Sequence, residues 1–356
     1  MIYYLFPYLY MIFFSLILYL SNLKSVKGWQ IFILLLPAIL VFALRGNVGT
    51  DTYNYLGLLD DYMHYGESLA KYEPGFEILG KFLTYLGLNP RFALATIGLI
   101  TTIILCKSYA KSKRQMLIFV LLVFPLFFYD FTMNGIRYGL SFSLATLAVD
   151  SIYRKKYSNA TMWALIAFSM QYSSILVILP FVGALVKKRY IIFFILILVG
   201  AFFVSPELFS LITDRIAGKR DAYSESFAPS LLSGLAPLLI VLTMYGSFLY
   251  FSNDRRSLKL MHIILIFEII SFILSKFTYA GLRFQGVFMY CMILYLKYNV
   301  DFIDSNRMRK YVYVFILLSI FGILLFIKNI AVIVDGDLSP FLPYKFFWEE
   351  PRLFTL

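Results

Sequence analysis

The sequence predicts an all-α polytopic membrane protein, and three properties of the chain support this fold class. Of the 356 residues, 61% are apolar and only 15% are charged. The mean hydropathy is +0.79, and apolar runs of about 17–22 residues, long enough to cross a hydrocarbon core, recur along the chain. A soluble chain could not keep so many apolar side chains off its surface. These properties exclude a soluble enzyme, a nucleic-acid-binding module and a disordered chain.

About ten apolar runs are predicted to be full transmembrane helices. They are Ile2–Ser21, Trp29–Leu44, Phe92–Tyr109, Met116–Tyr129, Ile136–Tyr153, Tyr190–Val204, Leu231–Phe251, Leu260–Ser275, Leu282–Lys297 and Tyr311–Ile327. The stretch 158–186 is too long for one crossing and is interrupted by the polar residues Gln171–Ser174, so we predict a short helical hairpin there. The chain would then cross the membrane up to about twelve times.

The distribution of charge predicts the orientation. Alternate loops hold most of the 32 basic residues, among them Lys107–Arg114, Arg154–Lys156 and Arg255–Lys259. The positive-inside rule places these loops in the cytoplasm and both termini outside. The net charge of +12 is attributed to anchors beside anionic lipid headgroups. We predict one integral membrane domain over residues 1–356, with long outer loops at 45–91 and 205–230 and an outer tail at 328–356.

Arginine residues on the predicted outer side are the first candidates for a site. Arg137 and Arg283 each lie about one turn inside an apolar helix, where a guanidinium is costly. Each is either an interfacial anchor or an anion-binding group, since a guanidinium stays charged and pairs with phosphate through two hydrogen bonds. Several such groups converging from different helices would form a pyrophosphate clamp. The other outer arginines that we consider are Arg45, Arg215 and Arg220.

The segment from Arg45 to Tyr55 is the second candidate. Its two glycines permit tight turns, and its Asn, Thr and Asp side chains can bond a hydroxyl-rich ligand. Tyr53 and Tyr55 offer rings on which sugars can stack. An ordinary helix-capping turn is the alternative interpretation of this segment.

A third candidate is the carboxylate of Glu73, which is followed by Pro74 and Gly75. It comes just before an amphipathic helix predicted over Gly75–Leu86, which is expected to lie at the outer membrane interface. The apolar residues of that helix are Phe76, Leu79, Phe82, Leu83 and Leu86. A plain helix start remains the alternative for Glu73.

The ordered motifs of the chain resemble those of a known family, the EpsG-like branch of the Wzy-type O-antigen and capsular polysaccharide polymerases. The motifs are Arg45…Gly49-Thr50-Asp51-Thr52…Tyr55, Glu73-Pro74-Gly75-Phe76, Gly135-Ile136-Arg137, the hairpin with Ser173 that ends in Leu179-Pro180, and Pro343-Tyr344-Lys345. They cover nearly the whole chain. Two positions depart from the family pattern: Tyr138 stands where the family usually has Gln, and Gln171 where it usually has His.

The resemblance implies that the chain joins oligosaccharide repeat units carried on polyprenyl pyrophosphate, at the outer face of a bacterial cytoplasmic membrane. On this hypothesis Arg137 and Arg283, supported by Arg45, bind pyrophosphate. Asp51 is the expected general base, and Glu73 is the second candidate. The remaining substrate-binding candidates are Tyr53, Tyr55, Tyr138, Gln171, Ser173, Arg215 and Arg220. The implied partners are the lipid-linked oligosaccharides, membrane lipids, a flippase and a chain-length regulator, with no nucleic acid.

Two alternatives stay open at this point: a flippase or other transporter of lipid-linked oligosaccharides, and a membrane O-acyltransferase that modifies polysaccharide. A transporter should show an internal repeat and several charges along a path through the membrane. In this sequence only one acid, Glu268, lies well inside a predicted span. Glu268 is expected either to couple ions or to join two helices. We predict no cofactor and no metal site, since His64 and His262 have no metal-ligand spacing and Asp335-Gly336-Asp337 lies in the tail.

Overall fold

The structure, a computed structural model, describes residues 1–21, 27–68, 72–185, 232–251, 258–303, 305–331, 339 and 341–349. All regular elements in these ranges are helices. The α-helices are α1 (Ile2–Leu20), α2 (Gly28–Leu34), α3 (Leu36–Ala43), α4 (Thr52–Tyr65), α5 (Pro74–Tyr85), α6 (Pro90–Tyr109), α7 (Lys113–Ile118), α8 (Ile136–Tyr153), α9 (Tyr157–Met170), α10 (Ile175–Leu185), α11 (Leu235–Phe251), α12 (Leu258–Leu274), α13 (Tyr279–Asn299) and α14 (Ser305–Ala331). The all-α fold class is therefore confirmed for the described part.

Three helices in the described ranges are long and apolar enough to cross a membrane: Ile2–Leu20, Pro90–Tyr109 and the part Arg307–Ala331 of α14. Shorter apolar helices cover Tyr172–Gly183 and Leu235–Phe251. The chain thus has several apolar helices, as a membrane protein requires. The number of crossings and the outer location of both termini stay predictions. The predicted span Tyr190–Val204 and the predicted loop 205–230 lie outside the described residues.

Two predicted spans differ from the structure. The run Trp29–Leu44 is divided at Leu35 into α2 and α3, because Pro37 in the first turn of α3 has no N–H to continue the hydrogen-bond ladder. The run Met116–Tyr129 continues from α7 as a π-helical segment, Phe119–Phe128, with Pro125 inside it. A further π-helical segment covers Asp130–Asn134. The hairpin stretch is divided, as predicted, where Gln171 is extended between α9 and a short 3-10 turn.

The chain divides into two compact units, Met1–Ile178 with Leu296–Leu356, and Leu179–Tyr295. In the first unit α7 and the π-helical segments form the centre, because their side chains are buried around the whole circumference from Gln115 to Pro125. A helix that is apolar on every side is stable only when it is enclosed. The single membrane domain over 1–356 stays a prediction.

In the second unit, the buried Glu268 of α12 accepts a hydrogen bond from Gln285 Nε2 of α13 at 2.9 Å. The same amide group donates to the Gly234 carbonyl at 2.9 Å. A polar group buried among apolar residues is stable when it is hydrogen-bonded. The structure therefore shows Glu268 in a contact between two helices, which is one of its two expected roles.

Helices α6 and α8 connect two chemically different ends of the first unit. Each begins near an arginine, Arg91 and Arg137, and both end beside Asp150. With 18 residues, α8 separates these ends by about 27 Å.

At the second of these ends, which we call the lysine end, Asp150 accepts hydrogen bonds from Lys297 Nζ at 2.9 Å, from Ser108 Oγ at 2.9 Å and from Lys111 Nζ. Lys297 is fully buried, and its Nζ also donates to Ser108 Oγ at 2.7 Å. The hydroxyl of Tyr298 completes the contacts of Asp150. The cluster joins the ends of α6, α8 and α13 within the first unit.

Candidate functional site

The centre of the candidate site is Arg137, in the first turn of α8. Its guanidinium forms an ion pair with Glu73, and its Cζ lies 4.3 Å from the centroid of the Tyr72 ring. It also interacts with the hydroxyl of Tyr55, whose pKa is raised by burial. Arg137 Nε is buried and forms no hydrogen bond within the described part of the chain. The side chain of Arg137 nevertheless keeps 23% of its surface exposed, against 8% for Glu73, so a charged donor remains accessible.

The carboxylates of the site stand at helix starts. Asp51 is the N-cap residue of α4 and Glu73 that of α5, yet neither side chain caps its own helix. Pro74 follows Glu73 at the first position of α5, where a missing N–H costs nothing. The charge of Asp51 acts on Tyr55, one turn into α4. Glu73 is thus held against Arg137, and Asp51 is held one turn before Tyr55, which itself interacts with Arg137.

Helices α4 and α5 run in parallel. Near their beginnings the rings of Tyr55 and Phe76 are 5.9 Å apart, and farther along a Cβ at Gly80 would lie 3.0 Å from the Tyr62 ring. Early residues of α4 thus contact early residues of α5, and later residues contact later ones. The two helices therefore point in the same direction, and their amino ends lie side by side. The amino end of α8 is there too, since Arg137 contacts Glu73. Helix amino ends carry partial positive charge and unpaired N–H groups, so together with Arg137 they favour an anion.

The loop between α3 and α4 is packed against the segment that precedes Arg137. Gly49 has φ = 108°, and a Cβ there would lie 2.8 Å from Asn134 Oδ1. Thr52 Oγ1 donates to the Val48 carbonyl at 2.7 Å and lies 3.4 Å from the Met133 carbonyl. Glycine is required at position 49 by both conformation and space.

Arg45 lies beneath this loop and is buried. Its guanidinium donates to the carbonyls of Phe42 at 2.8 Å, Thr132 at 3.0 Å and Met133 at 3.3 Å. Burial lowers the pKa of Arg45 to about 10, so the group remains protonated at neutral pH. Arg45 therefore holds the end of the π-helical segment in place. This end lies two residues before Gly135 and so determines where α8 begins and where Arg137 lies.

The hairpin and the carboxyl-terminal segment also reach this region. A Cβ at Gly75 would collide with Ser169 of α9, so α5 and α9 are in close contact two residues before Gln171. Gln171 Nε2 donates to Ser173 Oγ at 3.1 Å. From the other side, the Gly46 N–H donates to the Lys345 carbonyl at 2.8 Å. The motif segments therefore contact one another in a chain within the first unit, while Leu179-Pro180, at the end of the hairpin motif, belong to the second unit.

The other predicted site residues are placed differently. The Tyr53 side chain is 55% exposed, next to Asp51 in sequence. Tyr138 is half-buried, with its ring centroid 3.8 Å from that of Phe142. Arg283 is exposed on α13 in the second unit. Arg215 and Arg220 lie outside the described residues.

Sequence reasoning missed Tyr72, whose ring covers the Arg137 guanidinium. Its signal was an aromatic residue directly before the Glu73-Pro74 helix start. Among the described residues no group of three His, Cys, Asp or Glu side chains is placed to hold a metal ion.

The fold and the site together define a helical membrane protein with a cationic and acidic site at one end of its helices. Residues 28–346 match the EpsG family. The chain therefore belongs to the EpsG family, as its ordered motifs predicted. Neither the curated proteins nor the solved structures contain a match to this chain. Family membership and the apolar helices indicate a polysaccharide polymerase-like membrane protein that functions in polysaccharide biosynthesis.

Proposed function

We propose that the protein polymerises oligosaccharide repeat units carried on polyprenyl pyrophosphate, at the outer face of the cytoplasmic membrane. The observation that carries this proposal is the environment of Arg137. A partly exposed guanidinium, whose buried Nε forms no hydrogen bond among the described residues, is held by Glu73, Tyr55 and Tyr72 at the meeting point of three helix amino ends. Such a place suits the negative charge of a leaving pyrophosphate.

In the proposed reaction the hydroxyl oxygen of the acceptor sugar attacks the anomeric carbon at the reducing end of the growing chain. A new C–O bond forms there, and the bond from that carbon to the pyrophosphate oxygen breaks. The electron pair leaves with the polyprenyl pyrophosphate, whose charge Arg137 stabilises as it develops. The proton of the acceptor hydroxyl passes to a carboxylate, for which we propose Asp51.

The two carboxylates are assigned different roles. Glu73 is in direct contact with the Arg137 guanidinium, so we assign it to holding that group. We assign Asp51, which acts on Tyr55 from the start of α4, to receiving the proton. Arg45 supports the site indirectly, because its two terminal nitrogens, Nη1 and Nη2, donate to backbone carbonyls.

The remaining assignments rest on residue chemistry. The exposed ring of Tyr53 is proposed to stack on sugar, and the polar pair Gln171 and Ser173 to bond sugar or phosphate. Arg283 is proposed as a further cation for pyrophosphate. Tyr138, Arg215 and Arg220 stay candidates for substrate binding. Lipid-linked repeat units must be delivered to the outer face by a flippase, and a chain-length regulator is a further proposed partner.

The proposal is tested by the glycans of a deletion strain that carries wild-type protein, Arg137→Ala, Arg283→Lys or the control Arg154→Ala, with protein amounts matched. Arg154 follows α8 at its opposite end. We expect wild type and Arg154→Ala to restore a ladder of repeats, and Arg137→Ala to stop at a single unit. If the deletion removes the single-unit form as well, the flippase alternative replaces the polymerase.

A further inference from the structure

A groove lies between α4 and α5, beyond the candidate site. It has a volume of about 480 Å³, which is in the range of small-molecule sites. Its lining residues are Tyr62, Met63, Gly66, Lys81, Phe82, Thr84 and Tyr85. We call it the α4–α5 groove. Most of this lining is the apolar surface of aromatic rings, a Met side chain and the stem of a lysine.

The groove continues into an apolar stripe on the outer surface of α5. Ile78, Phe82, Tyr85 and Leu86 are 68%, 55%, 89% and 58% exposed. These positions follow the i, i+4, i+7, i+8 spacing of one helical face. The sequence grouped Phe82 and Leu86 with Phe76, Leu79 and Leu83 as the apolar residues of this helix. The structure divides that group, because it buries Phe76, Gly80, Leu83 and Thr84 and exposes Phe82 and Leu86. The helix therefore presents apolar side chains outward, as a helix at a membrane interface does.

Two polar groups at the groove lack a charged or hydrogen-bonding partner within the described part of the chain. Lys81 Nζ lies 5.5 Å from the centroid of the Tyr62 ring and forms no ion pair there. Tyr62 is only 6% exposed, and its hydroxyl makes no hydrogen bond. Burial, reinforced by the charges of Glu77 and Asp61, raises the pKa of Tyr62 to about 12, so the hydroxyl is a donor at neutral pH. An unmade hydrogen bond of a buried hydroxyl is costly, and an anionic oxygen would satisfy both groups.

The groove stands at a defined distance from the reacting centre, because α4 and α5 are parallel. Tyr62 lies seven residues after Tyr55, and Lys81 lies eight residues after Glu73, which places the groove about 10–12 Å farther along both helices. A short oligosaccharide spans such a separation. The reacting hydroxyl is on a sugar of the acceptor, so in the proposed reaction the acceptor pyrophosphate is held away from Asp51 by the sugars between them.

We propose that the α4–α5 groove binds the lipid end of the acceptor substrate, with its pyrophosphate at Lys81 and the Tyr62 hydroxyl and the first part of its polyprenyl chain along Phe82 and Tyr85. This inference rests on the proposed function. It assigns the two lipid pyrophosphates of the reaction to different places: that of the growing chain to Arg137, and that of the incoming unit to the groove. The apolar stripe of α5 gives the acceptor lipid a path from the bilayer.

Binding is tested on the full chain in phosphatidylcholine nanodiscs, with a benzophenone-bearing farnesyl pyrophosphate as the photoreactive probe. We expect the label on peptides that contain Met63, Phe82 or Tyr85. Tyr62→Phe and Lys81→Met should each lower labelling by about tenfold, as for loss of a hydrogen bond to a charged group. The exposed Lys156, at the lysine end, supplies the matched control Lys156→Met.

Competition identifies the occupant. Unlabelled polyprenyl pyrophosphate should displace the probe, and phosphatidylglycerol or a lipid-free repeat-unit oligosaccharide should not. Displacement by phosphatidylglycerol would make the groove a general lipid contact, and displacement by the oligosaccharide alone would make it a glycan site. Either result, or labelling that Lys81→Met leaves unchanged, overturns the proposal.

Kinetics separate this proposal from the proposed function. With purified lipid-linked units, Lys81→Met and Tyr62→Phe should raise the KM for the acceptor about tenfold and leave the KM for the growing chain unchanged. If both KM values stay at wild type while Arg137→Ala is inactive, the polymerase proposal stands and the groove proposal is wrong. If wild type does not polymerise, the labelling experiment still decides whether the groove binds lipid pyrophosphate.

Discussion

Arg137 illustrates how one residue combines structural and chemical requirements. Its guanidinium is held by a carboxylate and an aromatic ring, and yet it keeps a buried Nε without a hydrogen bond in the described residues. A charge that is fixed in direction but incompletely satisfied is prepared for a ligand, because no solvent has to reorganise when the ligand's own charge develops. The surrounding contacts therefore matter as much as the charge.

The different roles of Glu73 and Asp51 give the first prediction. Glu73→Gln keeps the shape but removes the charge that holds Arg137, so it should raise the KM for the growing chain about tenfold. Asp51→Asn removes the proposed base and should lower kcat by about 10²–10⁴-fold with little change in KM. Steady-state kinetics on purified lipid-linked units measure both. Wild-type kcat in Asp51→Asn would show that the base assignment is wrong.

The second prediction concerns Asp150 at the lysine end. Removing its charge by Asp150→Asn leaves Lys297 buried and facing Lys111, whereas Lys297→Met leaves Asp150 paired with Lys111. Breaking a buried pair so that a charge stays uncompensated costs about 3–5 kcal/mol. We therefore expect Asp150→Asn to lower the thermal midpoint in detergent more than Lys297→Met does. The reverse order would mean that Lys297 does not depend on Asp150 for its charge compensation.

At the level of elements, the site depends on where helices begin. Three amino ends meet at Arg137, and each begins for a local reason: a tight turn before α4, Pro74 at the start of α5, and Gly135 after the π-helical segment. The parallel arrangement of α4 and α5 then distributes the proposed binding groups along their length, from Tyr55 to Tyr62. Closely packed glycines keep these helices in contact with their neighbours.

A pair of glycine substitutions tests this packing. Gly75→Ala places a methyl group against Ser169 and should separate α5 from α9, which costs about 1–3 kcal/mol as overpacking does. Gly57→Ala in α4 is the matched control, since nothing lies within 4 Å of its Cβ position, and it should stabilise by about 0.4–1 kcal/mol. Thermal unfolding compares the two. Equal midpoints would show that α5 and α9 can move apart without a loss of stability, and the packing argument would then be wrong.

For the whole molecule, the main feature is the separation of charge chemistry between the two ends of the first unit. At the lysine end, basic side chains bond the carbonyls that helices leave free, as when Arg114 donates to the Val300 carbonyl at 3.1 Å. At the other end, Arg45 and Arg137 serve the candidate site. The proposed reaction on outward-facing lipid-linked sugar needs cations at the outer end, where the charge rule predicts Arg137 to lie.

Orientation is the prediction that belongs to this scale. Two single-cysteine substitutions test it: Tyr53→Cys at the predicted outer end and Lys156→Cys at the lysine end. Both positions are exposed. The two native cysteines are buried, so background labelling should be low. An impermeant maleimide should label Tyr53→Cys in intact cells, and Lys156→Cys only after permeabilisation. The opposite pattern would place the candidate site in the cytoplasm.

The sequence by itself determined the fold class, the break at Gln171, the family and the residues Arg137, Glu73, Tyr55 and Asp51 as candidates. These follow from composition, local breakers and ordered motifs, which are properties of neighbouring residues. Most of the fine structure inside the apolar runs did not follow, because an apolar run has the same composition whether it is one helix, two helices or a π-helical segment.

Only the tertiary structure decided which candidates meet. It joined Glu73 to Arg137 across 64 positions of the chain, added Tyr72, and bonded Arg45 to backbone carbonyls. It also turned Phe82 and Leu86 outward beside a groove, since the buried face of α5 is chosen by α4 and α9 and not by the residues of α5 alone. Contacts between distant segments depend on how helices pack, and no single stretch of sequence carries that information.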